Sequence, residues 1–448
     1  MLDRFRHSIV FIIVFFTIGG SIFGYELSII ASAAPFIRSS FHLTTVQLST
    51  LMGLILLGGI MSKAIIMFAD FLGRRNLIIF TFFIYIIGFL IFTHSHSYAM
   101  LSVGRLIQGA SMTLNAVIFN VYLAEISPKK IRGRVILAQQ LSFTAGILLA
   151  GIVSLGYVKS GNWEGMFNCI LFLPIILFFF SFLLPQSPRC LALKGKLEEA
   201  KTILRKINKK LTKEQLELEC EELVFDHKKD SSVKEKLKLY LNKKYIKPIL
   251  IVLALYVLDQ LTGVKAIFQT SVVILNQTGI SSTFVGVLGS IFITGMNFVM
   301  TIVTLIYIDK LGRKKILKIG IAGFAISTLI MGLILFLLPT GNVKGWVMLI
   351  GLVVAIGFYA FGPSAVIGVL ASEIIPNRAR SIGLVICGLI ANIVGMIFVS
   401  QFLIIAKDAG YGILFTAIAI SAIIFFIFAL KVVPETRGKS LEEIESGL

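Results

Sequence analysis

Asp70-Phe71-Leu72-Gly73-Arg74-Arg75 closes the second long apolar run of this chain, and Asp309-Lys310-Leu311-Gly312-Arg313-Lys314-Lys315 closes the eighth. The same offset relates two further pairs of segments. Glu125-Ile-Ser-Pro-Lys-Lys-Ile-Arg132-Gly-Arg134 follows the fourth run, and Glu373-Ile-Ile-Pro-Asn-Arg-Ala-Arg380 follows the tenth. In both copies the acid lies seven residues before the matched arginine. Pro185-Gln-Ser-Pro-Arg189 ends the sixth run and Pro434-Glu-Thr-Arg437 ends the twelfth. Charged segments that recur at fixed places in two sets of six runs mark an internal duplication.

The runs themselves are long enough to cross a bilayer, which takes about 20 apolar residues each. They are expected near 8–33, 46–69, 77–94, 98–123, 135–157, 165–185, 247–275, 283–308, 316–338, 345–371, 381–405 and 411–433. The fold class that follows is an all-α membrane protein: twelve transmembrane helices in two pseudo-symmetric six-helix bundles, with a cytoplasmic helical linker. The boundaries are 1–185 for the first bundle, 186–246 for the linker, 247–433 for the second bundle and 434–448 for a tail. The linker mixes Lys and Glu with apolar residues at helical spacing, which predicts short amphipathic helices under the membrane.

Of the 448 residues, 57% are hydrophobic and only 15% charged, which does not fit a soluble protein of this length. The net charge of +19 would suggest nucleic acid on a soluble chain. Here Lys and Arg sit in short loops between the runs and concentrate in every second loop, on one side, so no nucleic-acid partner is expected. The positive-inside rule puts both termini and the linker in the cytoplasm of a plasma (inner) membrane, multi-pass and in contact with the lipid bilayer. Four cysteines lack CxxC spacing and five histidines form no cluster with acids, so neither a metal nor a cofactor is expected. No phosphate-binding loop of the GxxxxGK[ST] type is present, and nothing supports an enzyme.

The repeated charges carry a mechanical reading. Acids at helix ends and arginines on neighbouring short loops form charge-assisted pairs where the dielectric is intermediate. Such pairs hold one side of a two-half protein shut and release when the halves rock. The expected cytoplasmic gate comprises Asp70, Arg74, Arg75, Glu125, Arg132, Arg134, Asp309, Arg313, Glu373 and Arg380. An orientation signal alone would ask for neither acids nor matched spacing.

Taken in order, these segments resemble the sugar porter branch of the major facilitator superfamily. Gly24-Tyr-Glu26, Gly104-Arg105, Gln260-Leu-Thr-Gly263, Gly362-Pro363 and the ending Pro434-Glu-Thr-Arg-Gly-Lys-Ser440 extend the resemblance over nearly the whole chain. The resemblance implies alternating-access transport, by a monomer, of a small-molecule substrate such as a sugar or polyol, with protons as the coupling ion. Glu26 and Arg105 then take the places of a first-span acid and a fourth-span arginine that pair in proton-coupled members. Glu stands where Asp is usual. Charges inside a span are costly and functional by default. If Glu26 only neutralises Arg105 in a wet cavity, transport is facilitated diffusion. Lys63 in the second span, and Ile66 where the motif usually begins with Gly, are departures; Lys63 either snorkels or pairs with an acid.

The resemblance also assigns a substrate pocket. Gln140, Gln260 and Asn297 match polar positions that hold hydroxyls, and Thr144, Gln269 and Asn392 join them. The departures are Asp259 for a glutamine, Lys265 for an asparagine, and Gln269 and Thr270 for two tyrosines; a usual tryptophan position holds Gly368. The stacking platform is thus absent. On a continuous helix Asp259 and Lys265 diverge by about 120°, so an ion pair within the helix is not expected. Either they bind charged groups of the substrate, or each finds a structural partner and the substrate is neutral. The leading function is proton-coupled import of a sugar, polyol or related small polar metabolite. The alternatives are a carrier (exporter or uniporter) for a charged solute, such as an organic acid, phosphorylated compound or amino acid, and a non-transporting sensor.

Overall fold

The computed structural model describes residues 8–66, 72–127, 132–207, 243–339, 341–376 and 380–437; side chains at a few helix ends, those of Arg132, Arg134 and Arg380 among them, lie outside the description. Twelve helices among the described residues are long and apolar enough to span a membrane. The first is Ile9–Ser40, the fourth Tyr98–Ile126, the eighth Thr283–Leu311 and the ninth Arg313–Leu337. Large apolar side chains point outward along them: Phe179 and Phe292 are each 65% exposed and Leu337 83%. A soluble protein hides such residues, whereas lipid solvates them.

Three spans expected to be continuous are interrupted. The seventh divides into Lys243–Leu261 and Val264–Thr278. The break is at Gly263, whose φ of 70° a side chain would disfavour. The tenth divides into Asn342–Phe361 and Pro363–Ile374, because Pro363 has no N–H for the preceding turn and so starts a new helix. The sixth is Trp163–Asn168 followed, after a turn, by Phe172–Ser181. In the linker, Pro188–Leu193 and Leu197–Ile207 are helical, and the second pairs Lys196 with Glu199 and Lys201 with Glu198.

The chain packs as two compact units. One comprises Met1–Phe23, Gly58–Phe143 and Asn168–Glu235; the other comprises Gly24–Leu57, Thr144–Phe167 and Lys236–Leu448. The first is built around phenylalanine. Phe16 meets the edge of Phe119 at 4.4 Å between centroids and stacks on Tyr122 at 5.2 Å, and Phe15 meets Phe82 edge-on at 5.7 Å. In the second unit, the ends of the first, second and fifth spans that lie away from the termini join the last six spans. Ser49 Oγ donates to the Val399 carbonyl at 3.3 Å, and Gly53 packs beside Met396 and Ser400. Tyr25 donates its hydroxyl to the Met166 carbonyl within the same unit.

Candidate functional site: two charge clusters and a polar group on a broken helix

The first charge cluster lies in the first unit. Gly73 turns the chain with φ 89°, and Arg74 opens the third span. Arg74 is buried, and its Nε and Nη2 both donate to Glu125 Oε1, at 3.2 and 3.0 Å. The other oxygen, Oε2, accepts the Ser187 hydroxyl. Side chains of Arg74 and Glu125 keep only 5% and 8% of their surface, so this charge pair is largely dry. Tyr122, one turn before Glu125, donates to the Pro185 carbonyl at 2.7 Å and fixes the segment that delivers Ser187. Arg75 donates to the Phe182 carbonyl.

The second cluster uses the duplicated residues differently. Gly312 has the same φ of 89°, and Arg313 opens the ninth span. Its guanidinium divides between two acids: Nη1 lies 3.2 Å from Asp309 Oδ1, and Nη2 lies 3.6 Å from Glu373 Oε1. Asp309 keeps 82% of its side-chain surface, so that contact is wet. Glu435, from the last motif, accepts the backbone N–H groups of Arg313 and Lys314 at 3.2 Å each. It therefore caps the ninth span where unpaired donors and the helix dipole favour an anion.

Both clusters join an arginine of one motif to the acid of the next, Arg74 to Glu125 and Arg313 to Glu373. The sequence led to acids at helix ends meeting arginines on neighbouring loops, without naming the pairs. Asp70 lies outside the described residues, as do the side chains of Arg132, Arg134 and Arg380, so their contacts stay expectations. Ser187 and Glu435 were not among the expected site residues. The signal was present, since both lie in the third repeated segment.

Within the spans, Glu26 and Arg105 are both fully buried. Arg105 donates from Nη1 to Gln108 Oε1 at 3.3 Å, and its guanidinium carbon lies 5.9 Å from the Phe92 ring centre. Lys63 is buried too.

Of the expected pocket residues, Asp259 and Gln260 lie just before the break in the seventh span, and Lys265 and Gln269 just after it. Asp259 is half-buried; its Oδ1 accepts the Tyr359 hydroxyl at 2.9 Å and its Oδ2 accepts Gln260 Nε2 at 3.2 Å. The chain turns at Thr262–Gly263 and begins a new helix at Val264, so Asp259 and Lys265 stand on separate helices, and no ion pair joins them among the described residues. Gln260 lies against Gly395 of the eleventh span, where a Cβ would come within 2.6 Å of its Oε1. That Oε1 is buried and accepts no hydrogen bond from the described residues. Gln269 is buried and donates to the Lys265 carbonyl at 3.4 Å, which ties it to the helix. Asn297 is buried on the eighth span and Asn392 half-buried on the eleventh; no hydrogen bond joins either to this group among the described residues. Thr144 belongs to the same unit, and Gln140 is half-buried in the first. Tyr359, which anchors Asp259 to the tenth span, was missed because an isolated tyrosine in an apolar run carries no pattern.

Comparison with known proteins matches the description "Sugar (and other) transporter" over residues 12–448. The chain belongs to the sugar transporter family. It is 31% identical to the glucose transporter GlcP of Staphylococcus epidermidis, over 96% of this chain and 94% of that one. It is 27% identical to the arabinose-proton symporter of Escherichia coli, over 99% of this chain and 94% of that one. The inward open structure of the xylose transporter XylE from E. coli superposes with a TM-score of 0.80 at 22% identity, covering 97% and 98% of the two chains. The major facilitator fold and its twelve membrane helices are thus those of this family member.

Proposed function

We propose that this chain imports a neutral sugar or polyol together with protons, by alternating access and without chemical change to the substrate. The observation that carries this is a fully buried carboxylate, Glu26, inside the first span of a sugar transporter family member. A buried acid in a span is worth its cost when it changes charge in the working cycle. Protonation neutralises Glu26, removes the cost of its buried charge and so allows the first span to rearrange. The relatives named above transport glucose, and arabinose with protons. They lend no support to a charged-solute carrier or a sensor.

Each charge cluster braces the cytoplasmic helix ends of one half, and the halves 1–185 and 247–433 are the parts that rock. The protein works as a monomer in the plasma membrane with both termini cytoplasmic. The test is purified protein in liposomes under an inward proton gradient, with labelled glucose, arabinose, xylose and inositol. Accumulation of one of them above equilibrium, abolished by a protonophore, is expected. Equilibration without accumulation would reduce the protein to a facilitative carrier.

A further inference from the structure

The fifth span, Arg132–Val158, and the eighth run antiparallel within the second unit. Three contacts set their register. Gly295 faces Leu148, Gly151 lies where a Cβ would come within 2.7 Å of Ile291, and the Lys159 ammonium stands 6.0 Å from the Phe284 ring centre. One side of this seam is open. Gly295 has no side chain, and a cavity of about 360 Å³ lies over it, walled by Leu148, Phe292, Val299 and, from the tenth span, Val353. Phe292 and Val299 are 65% and 53% exposed, so the cavity opens onto the face that lipid covers. Further along the fifth span, Ile152 is exposed, and Gly156 has open space where a Cβ would stand. Leu148, Ile152, Gly156 and Lys159 lie within about 80° of one another around the helix, so the apolar track leads to a lysine. Lys159 is exposed and forms no ion pair among the described residues. It stands about 16 Å along the helix from Leu148. Half the hydrocarbon thickness is about 15 Å, so Lys159 reaches the headgroups when the cavity lies near the midplane.

We propose that this seam binds one phospholipid of net negative charge. Its phosphate rests on Lys159, one acyl chain lies along Ile152 and Gly156, and the chain end fills the cavity over Gly295. The track suits a chain because it is apolar, long and open sideways. The lysine selects the headgroup: an anionic lipid leaves its phosphate charge for Lys159, whereas a zwitterionic one brings its own cation. The fifth span comes from the first half of the sequence and the eighth from the second. A chain lodged in the seam therefore adds apolar contact to both. The site involves neither substrate nor protons, and it stands or falls apart from the function proposed above.

The test uses the two native tryptophans, Trp163 and Trp346, which open the sixth span and lie near the start of the tenth. Both are at span ends on the side of Lys159, away from the basic loops and the lipids those loops gather. Trp346 is 53% exposed and lies two turns, about 10 Å, from Val353 on one face of the tenth span. Full-length protein in mixed micelles is titrated with phosphatidylglycerol or phosphatidylcholine, each brominated near the headgroup end of one chain, and tryptophan quenching is read. Phosphatidylglycerol should reach half its effect at a mole fraction roughly fivefold lower, as one lysine near a surface implies. Lys159→Gln should erase that advantage. Lys407→Gln removes an exposed charge from the same side, at the end of the eleventh span, and should leave it intact. Gly295→Leu and Gly156→Leu each place a side chain in the track. Each should weaken phosphatidylglycerol binding on the order of tenfold, by excluding about two methylenes. A Cβ at either position meets nothing closer than 3.8 Å, so both variants keep the fold. Equal quenching by the two lipids in the unmodified protein would overturn the proposal. So would an advantage that survives Lys159→Gln or is lost equally in Lys407→Gln. Undiminished binding in both leucine variants would remove the chain from the seam and overturn it as well.

Discussion

The two charge clusters descend from one repeated pattern, yet they spend their charges differently. In the first, a buried arginine makes two hydrogen bonds to one oxygen of a buried glutamate, and the third motif contributes Ser187 to the other oxygen. In the second, a more exposed arginine is shared between Asp309 and Glu373, and the third motif contributes Glu435 to backbone donors instead. The difference follows from what each third segment supplies. A serine hydroxyl donates to an acid, so it reinforces the Arg74–Glu125 pair. A carboxylate cannot donate, so Glu435 turns to the N–H groups at the start of the ninth helix. The first cluster is a dry lock on side chains, and the second is a wetter lock on a helix end.

That contrast can be broken experimentally, beginning where the effect is largest. Arg74→Ala leaves Glu125 buried without its cation, and should lower stability by about 3–5 kcal/mol in thermal unfolding of the detergent-purified protein. A loss no larger than that of Arg313→Ala would remove the distinction between dry and wet locks. Ser187→Ala deletes a hydrogen bond to a charged group and should cost about 1.5–3 kcal/mol, measured the same way. Ser187→Thr should recover part of it. Glu435→Ala removes a helix cap and should cost about 0.5–2 kcal/mol, while Glu435→Gln, which still accepts N–H groups, should cost less. Asp309→Asn should change stability by no more than about 0.5 kcal/mol, since that pair is largely solvated and joins residues one turn apart. A large loss there would show that the second cluster is drier than its geometry suggests.

The fold was legible in the sequence because lipid imposes length and composition on each span, and because Asp70 to Arg75 and Asp309 to Lys315 repeat in register. Which charges meet was only half legible. Spacing listed Glu125 and Arg74 among the gate residues without saying which acid meets which arginine; folding brings Glu125 to Arg74, 51 residues away. Local spacing cannot report that approach, since it depends on how the third and fourth spans pack. The breaks at Gly263 and Gly362–Pro363 were also hidden. Both glycines were visible within the resemblance, but apolar runs on either side read as one helix. The turn at Gly263 sets Asp259 and Lys265 on separate helices. Tyr359 could be recognised only from its 2.9 Å hydrogen bond.

The central claim is that Glu26 carries the proton. Its most direct measurement compares the unmodified protein with Glu26→Gln in proteoliposomes, reading two processes with the same labelled substrate. Counterflow exchange needs no net proton movement, whereas uphill accumulation under a pH gradient does. The account predicts that Glu26→Gln keeps exchange and loses accumulation. Accumulation that survives in Glu26→Gln would contradict it and place the proton on another group.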